Sequence, residues 1–235
     1  MNLNTINVNE FFGPTIQGEG PYIGRLCWFL RMHRCPVQCP GCDTHYTWDG
    51  SEEGKDLKVR EVVDQFPRAA AGGLVVSGGE PLLWMKSSEF GLILDEACNR
   101  FEWLSLETSG YAGKLWHDHP NVPTIDTLSF LNRFQQISVS PKVTPCLHGR
   151  QDDNTLLTNI PTFIGMPVIL RRTVFKFVVR DDADLEVVGR VVAQYSILHS
   201  KVMLMPYGIT RDEVARGCDW LIPHLERTGF SLSPR

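Results

Sequence analysis

The sequence predicts an α/β fold with a mainly parallel sheet covered by helices. Three observations carry this expectation. Strand-like runs alternate with segments of helical periodicity along most of the chain. The runs are short and almost continuously apolar, as strands buried on both faces must be. Polar or glycine-rich motifs follow them repeatedly, at the strand ends where such sheets gather their ligands.

The elements fall in order. RLCWFLRM (25–32) reads as the first core strand, and KVREVVDQF (58–66) has apolar residues at helical spacing. GGLVVSGG (72–79) is a strand running into glycines, and SSEFGLILDEACNRF (87–101) is a helix. WLSLETSG (103–110) and QISVSPK (136–142) are strands ending in turns. TVFKFVVR (173–180) is a strand, DADLEVVGRVVAQY (182–195) a helix and KVMLMPYG (201–208) a strand. TRDEVARGCDWLIPHLE (210–226) is a helix opened by Thr210 and Glu213 at capping-box spacing. Pro223 is expected to end or kink it. The pattern-poor region near 143–170, with Pro145, Pro161 and Pro167, reads as an insertion or long loop within one domain spanning 1–235. Five motifs, CPVQCPGC, SGGEP, ETSG, SPK and MPYG, then converge on one face and predict one large binding site.

Composition narrows the function. The 235 residues, 43% hydrophobic and 21% charged, suit one α/β domain with a sizeable core. The net charge of −4, with no basic run, argues against a nucleic-acid partner. The N-terminus has neither the basic nor the apolar region of a signal peptide, and no apolar run is long enough to span a membrane. A cytoplasmic protein is expected, in which clustered thiols stay reduced and bind metal or do chemistry. Cys27, Cys98, Cys146 and Cys218, scattered singly in apolar segments, read as buried small hydrophobes.

RMHRCPVQCPGCDTHYTWD (31–49) places Cys35, Cys39 and Cys42 together with no fourth cysteine. A structural zinc site needs four ligands and can recruit His33 or His45. A cubane cluster on three thiolates instead leaves one iron open to a small molecule. VVSGGEPLL (75–83) then supplies two glycines, for close backbone approach, and Glu80, which with exposed carbonyls can accept hydrogen bonds from an ammonium group.

Cys-x3-Cys-x2-Cys followed by GGEP resembles the radical S-adenosylmethionine enzymes. The stretch FFGPTIQGEG…CPGCDT, with ETSG, SPK and MP following in order, is similar to the 7-carboxy-7-deazaguanine synthase family over most of the chain. The resemblance implies a partial, open β/α barrel of the radical S-adenosylmethionine type. It implies a [4Fe–4S] cluster on Cys35, Cys39 and Cys42, with S-adenosylmethionine chelating the open iron. Reductive cleavage then gives a 5′-deoxyadenosyl radical, which abstracts hydrogen from C6 of 6-carboxy-5,6,7,8-tetrahydropterin. The ring contracts, ammonia leaves and 7-carboxy-7-deazaguanine forms, a step towards bases such as queuosine. A glycyl-radical-enzyme activase shares the cysteine spacing but lacks QGEG; a zinc-binding interaction module leaves GGEP and SPK unexplained.

The resemblance also implies roles. Ile16, Gln17 and Gly18 lie along the pterin edge, Glu19 either joins them or anchors that turn, Arg31 pairs with the substrate carboxylate, and Ser77 contacts substrate. Gly41, Cys42 and Asp43 lie beside the adenine, and Gly79 and Glu80 hold the methionyl end. Ser140, Pro141 and Lys142 reach the ribose or carboxylate, and Met205, Pro206 and Tyr207 flank the adenine. Glu107 and Thr108 belong to the same wall, and Thr44 is the protein ligand of a Mg²⁺ that also binds substrate oxygens. Three features depart from the family pattern: Gly41 where many radical enzymes have an aromatic, Tyr207 where many relatives have Gln, and a C-terminus at GFSLSPR without a Leu-His segment. The terminal carboxylate of Arg235 is expected to take over the missing tail's contact. An electron donor such as a flavodoxin or ferredoxin, and a homodimer, are implied in the same way.

Overall fold

The computed structural model describes residues 5–68, 72–111, 125–143 and 160–234. Its strands are β1 (Ile6–Ile16), β2 (Leu26–Met32), β3 (Lys55–Leu57), β4 (Gly73–Gly78), β5 (Trp103–Thr108), β6 (Gln136–Val139), β7 (Thr173–Val179), β8 (Val202–Pro206) and β9 (Ser231–Leu232). They form one sheet in the order β3-β1-β2-β4-β5-β6-β7-β8-β9. From β2 to β9 every neighbour is parallel; β1 runs antiparallel to both β2 and β3. Since β3 and β9 do not pair, the sheet stays open, in agreement with the expected partial barrel.

Helices α1 (Val59–Val63), α2 (Ser88–Arg100), α3 (Ile125–Leu131), α4 (Ile160–Ile164), α5 (Pro167–Leu170), α6 (Asp182–Gln194) and α7 (Arg211–Thr228) lie in the connections. Helix α2 buries Phe90, Ile93, Leu94 and Ala97, the i, i+3, i+4, i+7 stripe of a surface helix. It starts where Ser87 Oγ accepts from Phe90 N at 3.2 Å. Helix α6 starts at Asp181, whose side chain accepts from Asp184 N, and α7 opens with the expected Thr210–Glu213 capping box. Fully buried Phe90, Phe134, Phe163, Phe175 and Phe177 fill the space between sheet and helices, each stabilising the fold by about 1.5–3 kcal/mol relative to exposure. Among the described residues no helix is long and apolar enough to cross a membrane.

The structure corrects several expectations. Pro223 does not end α7, which continues to Thr228. Its ring sits on the exposed face, and the carbonyl it leaves without an amide partner, that of Asp219, lies on an exposed residue that water reaches. Cys98 is exposed, since it falls off the apolar stripe of α2, and Cys218 is half-buried; Cys27 is buried, and Cys146 lies outside the described residues. Strand β1 carries no clean apolar signal because Asn7 and Asn9 are buried in it. Their amide nitrogens donate to Asp56 at 2.6 Å and Glu52 at 3.1 Å, while Asn7 Oδ1 has no hydrogen-bond partner. Of the region 143–170, the part from 160 on is helical and buries Ile160, Phe163 and Ile169, while 144–159 lies outside the described residues.

Candidate active site

Strand register brings the site together. Arg31 on β2 pairs with Ser77 on β4. Continuing the Val76–Leu106 pairing puts Ser77 level with Glu107 on β5, which in turn pairs with Ser138 on β6. Arg31, Ser77, Glu107 and Ser138 therefore form one polar row across four adjacent strands. The row floors a cavity of about 340 Å³ at the C-terminal ends of the parallel strands. The loops after β2, β4, β5, β6 and β8 all reach this cavity, as the sequence motifs predict.

The cysteine loop forms one wall. Cys35, Cys39 and Cys42 line the cavity and share a small apolar cluster with Val37, Tyr111 and Val178. Burial, with the Glu80 carboxylate adding to it, pushes the Cys35 thiol up to about 12. Neither histidine that would complete a zinc site lines the cavity: His33 Nδ1 lies 2.8 Å from Asn9 Oδ1, and His45 Nδ1 lies 2.7 Å from Asp49 Oδ2. Among the described residues no three His, Cys, Asp or Glu side chains converge on a single-ion site. Thr44 does not cap the turn that follows it; its hydroxyl lies 3.5 Å from Cys42 Sγ, on the cavity wall.

GGEP braces this loop. Gly79 N donates to Met32 O and Glu80 N to Arg34 O, both at 2.8 Å. A Cβ on Gly79 would sit 2.0 Å from Arg34 O, so only glycine allows this approach. Gly78 adopts φ +107 and would clash with the Met32 backbone in the same way. Glu80 does something other than expected. It is fully buried, does not line the cavity, and its carboxylate already accepts from Leu82 N, Thr108 Oγ1, Ser109 N and Ser109 Oγ at 2.5–3.0 Å. Burial pushes its carboxyl above the ordinary range despite these donors. Glu80 therefore ties GGEP to ETSG, and Gly78 and Gly79 are the residues of the motif that line the cavity.

On the floor, Gln17 Nε2 donates to Glu107 Oε1 at 2.9 Å and Ser77 Oγ to Glu107 Oε2 at 3.1 Å. Gln17 Oε1 accepts from Glu19 N at 3.2 Å, so Gln17 organises the floor with both ends of its amide. Lys176 on β7, nearly buried, pairs with Glu19. Burial pulls the Lys176 ammonium down, but Glu19 and Glu107 outweigh it and hold it above its ordinary value. Glu107 is pushed up by burial, against the pull of Lys176. Glu19, Lys176 and Glu107 thus form one group of interacting charges on the floor. Arg31 Nε lies 2.8 Å from Glu10 Oε1, without the alignment of a hydrogen bond, and the guanidinium carbon sits 5.4 Å from the Phe12 ring centroid. Tyr46 OH donates to the same Glu10 oxygen at 3.1 Å.

Of the other expected residues, Gly18, Glu19, Gly41, Asp43, Thr108, Ser140, Lys142, Met205, Pro206 and Tyr207 line the cavity. The side chain of Ile16 does not: it is 56% exposed outside the cavity, because strand alternation turns it away from its inward neighbour Gln17. Pro141 is buried behind the wall while its neighbours Ser140 and Lys142 face in, with Lys142 Nζ 3.1 Å from Ser140 Oγ. Arg235 lies outside the described residues. Sequence reasoning missed Lys176, Ser138, Ser109 and Gly78. Lys176 had a signal, a lone cation inside the apolar run TVFKFVV; Ser138 had none beyond its alternation with Ser140.

Comparison with known proteins agrees with this geometry. A family of 4Fe-4S single cluster domains matches residues 16–140. The 7-carboxy-7-deazaguanine synthase of Pyrobaculum aerophilum is 31% identical over 98% of this chain and 92% of its own. That of Bacillus cereus is 32% identical over 82% of this chain and 74% of its own. Among solved structures, QueE from Escherichia coli superposes with a TM-score of 0.58 at 21% identity, covering 98% of this chain and 94% of that one. Native anSMEcpe with bound AdoMet gives 0.54 at 13% identity, over 84% of this chain and 60% of that one. At these identities the two structures speak for the fold.

Proposed function

Since the chain belongs to the 7-carboxy-7-deazaguanine synthase family, we propose that it converts 6-carboxy-5,6,7,8-tetrahydropterin to 7-carboxy-7-deazaguanine with loss of ammonia, as a radical S-adenosylmethionine enzyme. One observation carries the reading: the three-thiol loop, the GGEP glycines and the QGEG–Arg31 elements open onto a single cavity.

The residues fit the cofactors. Three thiols on one apolar wall, with neither His33 nor His45 lining the cavity, suit a [4Fe–4S] cluster with one iron left for S-adenosylmethionine. Cluster and S-adenosylmethionine together supply the reductive cleavage that starts the radical chemistry. The protein supplies position. The Gly78 and Gly79 carbonyls are acceptors for an ammonium group, and Ser140, Lys142, Met205, Pro206 and Tyr207 border the space beyond it. Arg31, on the opposite side, offers its terminal guanidinium nitrogens to a carboxylate, and Glu10 and the Phe12 and Phe29 rings hold the fork in place. Thr44, beside Cys42, is placed to give one oxygen to a Mg²⁺ that otherwise binds substrate oxygens and water. The carboxyl groups of Glu19 and Glu107 offer acceptors to the N–H-rich edge of a pterin. The single-domain organisation, a flavodoxin- or ferredoxin-type electron donor, a homodimer and a cytoplasmic location belong to the same proposal.

The test is anaerobic incubation of the reconstituted protein with the tetrahydropterin and S-adenosylmethionine, following 5′-deoxyadenosine and the deazaguanine together. Both should form only in the presence of both substrates. Arg31→Ala should raise the pterin KM by about 30-fold or more, the cost of truncating one side of a desolvated charged pair. S-adenosylmethionine affinity should hold. No deazaguanine from wild-type protein with an intact cluster would overturn the assignment.

A further inference from the structure

The cavity floor is almost fully satisfied within itself. Gln17 and Ser77 both donate to Glu107, Thr108 and Ser109 to Glu80, Lys142 to Ser140, and Lys176 pairs with Glu19. The exceptions are Arg31 Nε, which lies against the Glu10 carboxylate out of hydrogen-bond alignment, and Ser138. Ser138 is 4% exposed, lines the cavity, and its Oγ has no hydrogen-bond partner. Buried hydroxyls are normally bonded, and an orphan at a site calls for a reason. The Oγ itself is shut off from water in the free protein; it faces Gly20 of the QGEG turn, where even a Cβ would stand 3.7 Å away.

Its place in the row gives the reason. Arg31 and Ser138 are the two ends of the line that runs across β2, β4, β5 and β6 through Ser77 and Glu107. Three inter-strand steps separate them, about 14 Å between backbones. A two-ring heterocycle held by its carboxylate at Arg31 and laid along this row ends at Ser138. The interior members of the row, Ser77 and Glu107, are already bonded to each other, so they shape the floor, whereas the far end keeps an unspent hydroxyl. A serine hydroxyl both donates and accepts, and can complement either the carbonyl or an N–H of the ring edge that arrives there.

We propose that Ser138 is a substrate-binding and specificity-determining residue, whose hydroxyl bonds the polar ring edge remote from the substrate carboxylate. The proposal rests on the reading of the substrate as a carboxylated pterin. The free protein keeps the hydroxyl unpaired and shut off from water, and a substrate presenting a polar edge satisfies it. A ring with an apolar edge leaves it buried and unpaired, and is rejected for that reason.

The experiment uses the reconstituted holoprotein with S-adenosylmethionine bound, and measures equilibrium binding of 6-carboxy-5,6,7,8-tetrahydropterin alongside turnover. Ser138→Ala should weaken pterin binding by about five- to tenfold, the usual worth of one neutral hydrogen bond. It should leave S-adenosylmethionine binding and the cluster spectrum intact and leave the melting temperature unchanged or higher, since an orphan hydroxyl is removed. Ser138→Thr, which keeps the hydroxyl, should restore pterin binding to near the wild-type value. Unchanged pterin affinity in Ser138→Ala overturns the proposal, as does an equal loss in the Thr and Ala variants. Wild-type protein that neither binds nor turns over the pterin would instead sink the functional reading on which it rests.

Discussion

Lys176→Met tests the electrostatics of the floor. The change keeps side-chain volume but removes the cation facing Glu19 and Glu107. Lys176 is 7% exposed and Glu19 20%, so this is a buried pair to which surface screening scarcely applies. Removing one partner of a buried pair leaves an uncompensated charge and costs about 3–5 kcal/mol. For a chain of this size that is a fall in melting temperature of about 6–20 °C. The pH dependence carries the sign. Burial already holds Glu107 above its ordinary pKa while Lys176 pulls it down, so losing Lys176 raises Glu107 further. A carboxyl whose folded pKa exceeds its unfolded value, about 4.3, destabilises increasingly as pH rises from there through the folded value. The variant's deficit should therefore be smaller at about pH 5 than at about pH 8. In the wild type, the raised Lys176 pKa means that its own contribution is complete at neutral pH and is lost only above the lysine range, about 10.4. Anaerobic thermal melts of wild type, Lys176→Met and Lys176→Arg at the two pH values are the assay. A deficit under about 1 kcal/mol, or one equal at both pH values, would refute the argument.

Glu80→Ala removes the acceptor of four donors, two of them buried, and with about 1–3 kcal/mol for each buried group left unsatisfied it should destabilise the protein by about 2–6 kcal/mol; denaturant melts within about 1 kcal/mol of wild type would contradict its anchoring role. Cys39→Ala should abolish cluster assembly by iron and sulfide analysis, while Cys98→Ala, at an exposed position, should leave iron content and stability unchanged; an intact, active cluster in Cys39→Ala would refute the ligand assignment. Gly79→Ala should displace the cysteine loop, since its Cβ would overlap Arg34 O, and should lower cluster occupancy on reconstitution. Added Mg²⁺ should raise wild-type turnover, and Thr44→Ala should blunt that response with the cluster spectrum intact; wild-type turnover insensitive to thorough chelation would remove the metal from the scheme.

The sequence by itself determined the alternation of strands and helices, the parallel core of the sheet, the starts of α2 and α7, and the convergence of five motifs on one face. These rest on local periodicity, capping chemistry and the direction of parallel strands, which a linear reading reaches. It also singled out the three thiols, Arg31, Ser77 and most of the other polar residues that line the cavity. The edge strands β3 and β9 were too short for any period to show, and in β1 two buried asparagines masked the apolar run, and the acceptors of their amides, Asp56 and Glu52, are distant in sequence. Tertiary structure alone decided what each polar residue does. Glu80 and Gln17 read as ligand-binding groups, yet both spend their hydrogen bonds within the protein, because their partners arrive from ETSG and from the Glu19 turn. Lys176 gains its place only when β7 brings it to Glu19, 157 residues away in sequence. Ser138 becomes the end of a row only through the register of four strands. Register and long-range pairing are properties of the packed sheet, and no window of neighbouring residues contains them.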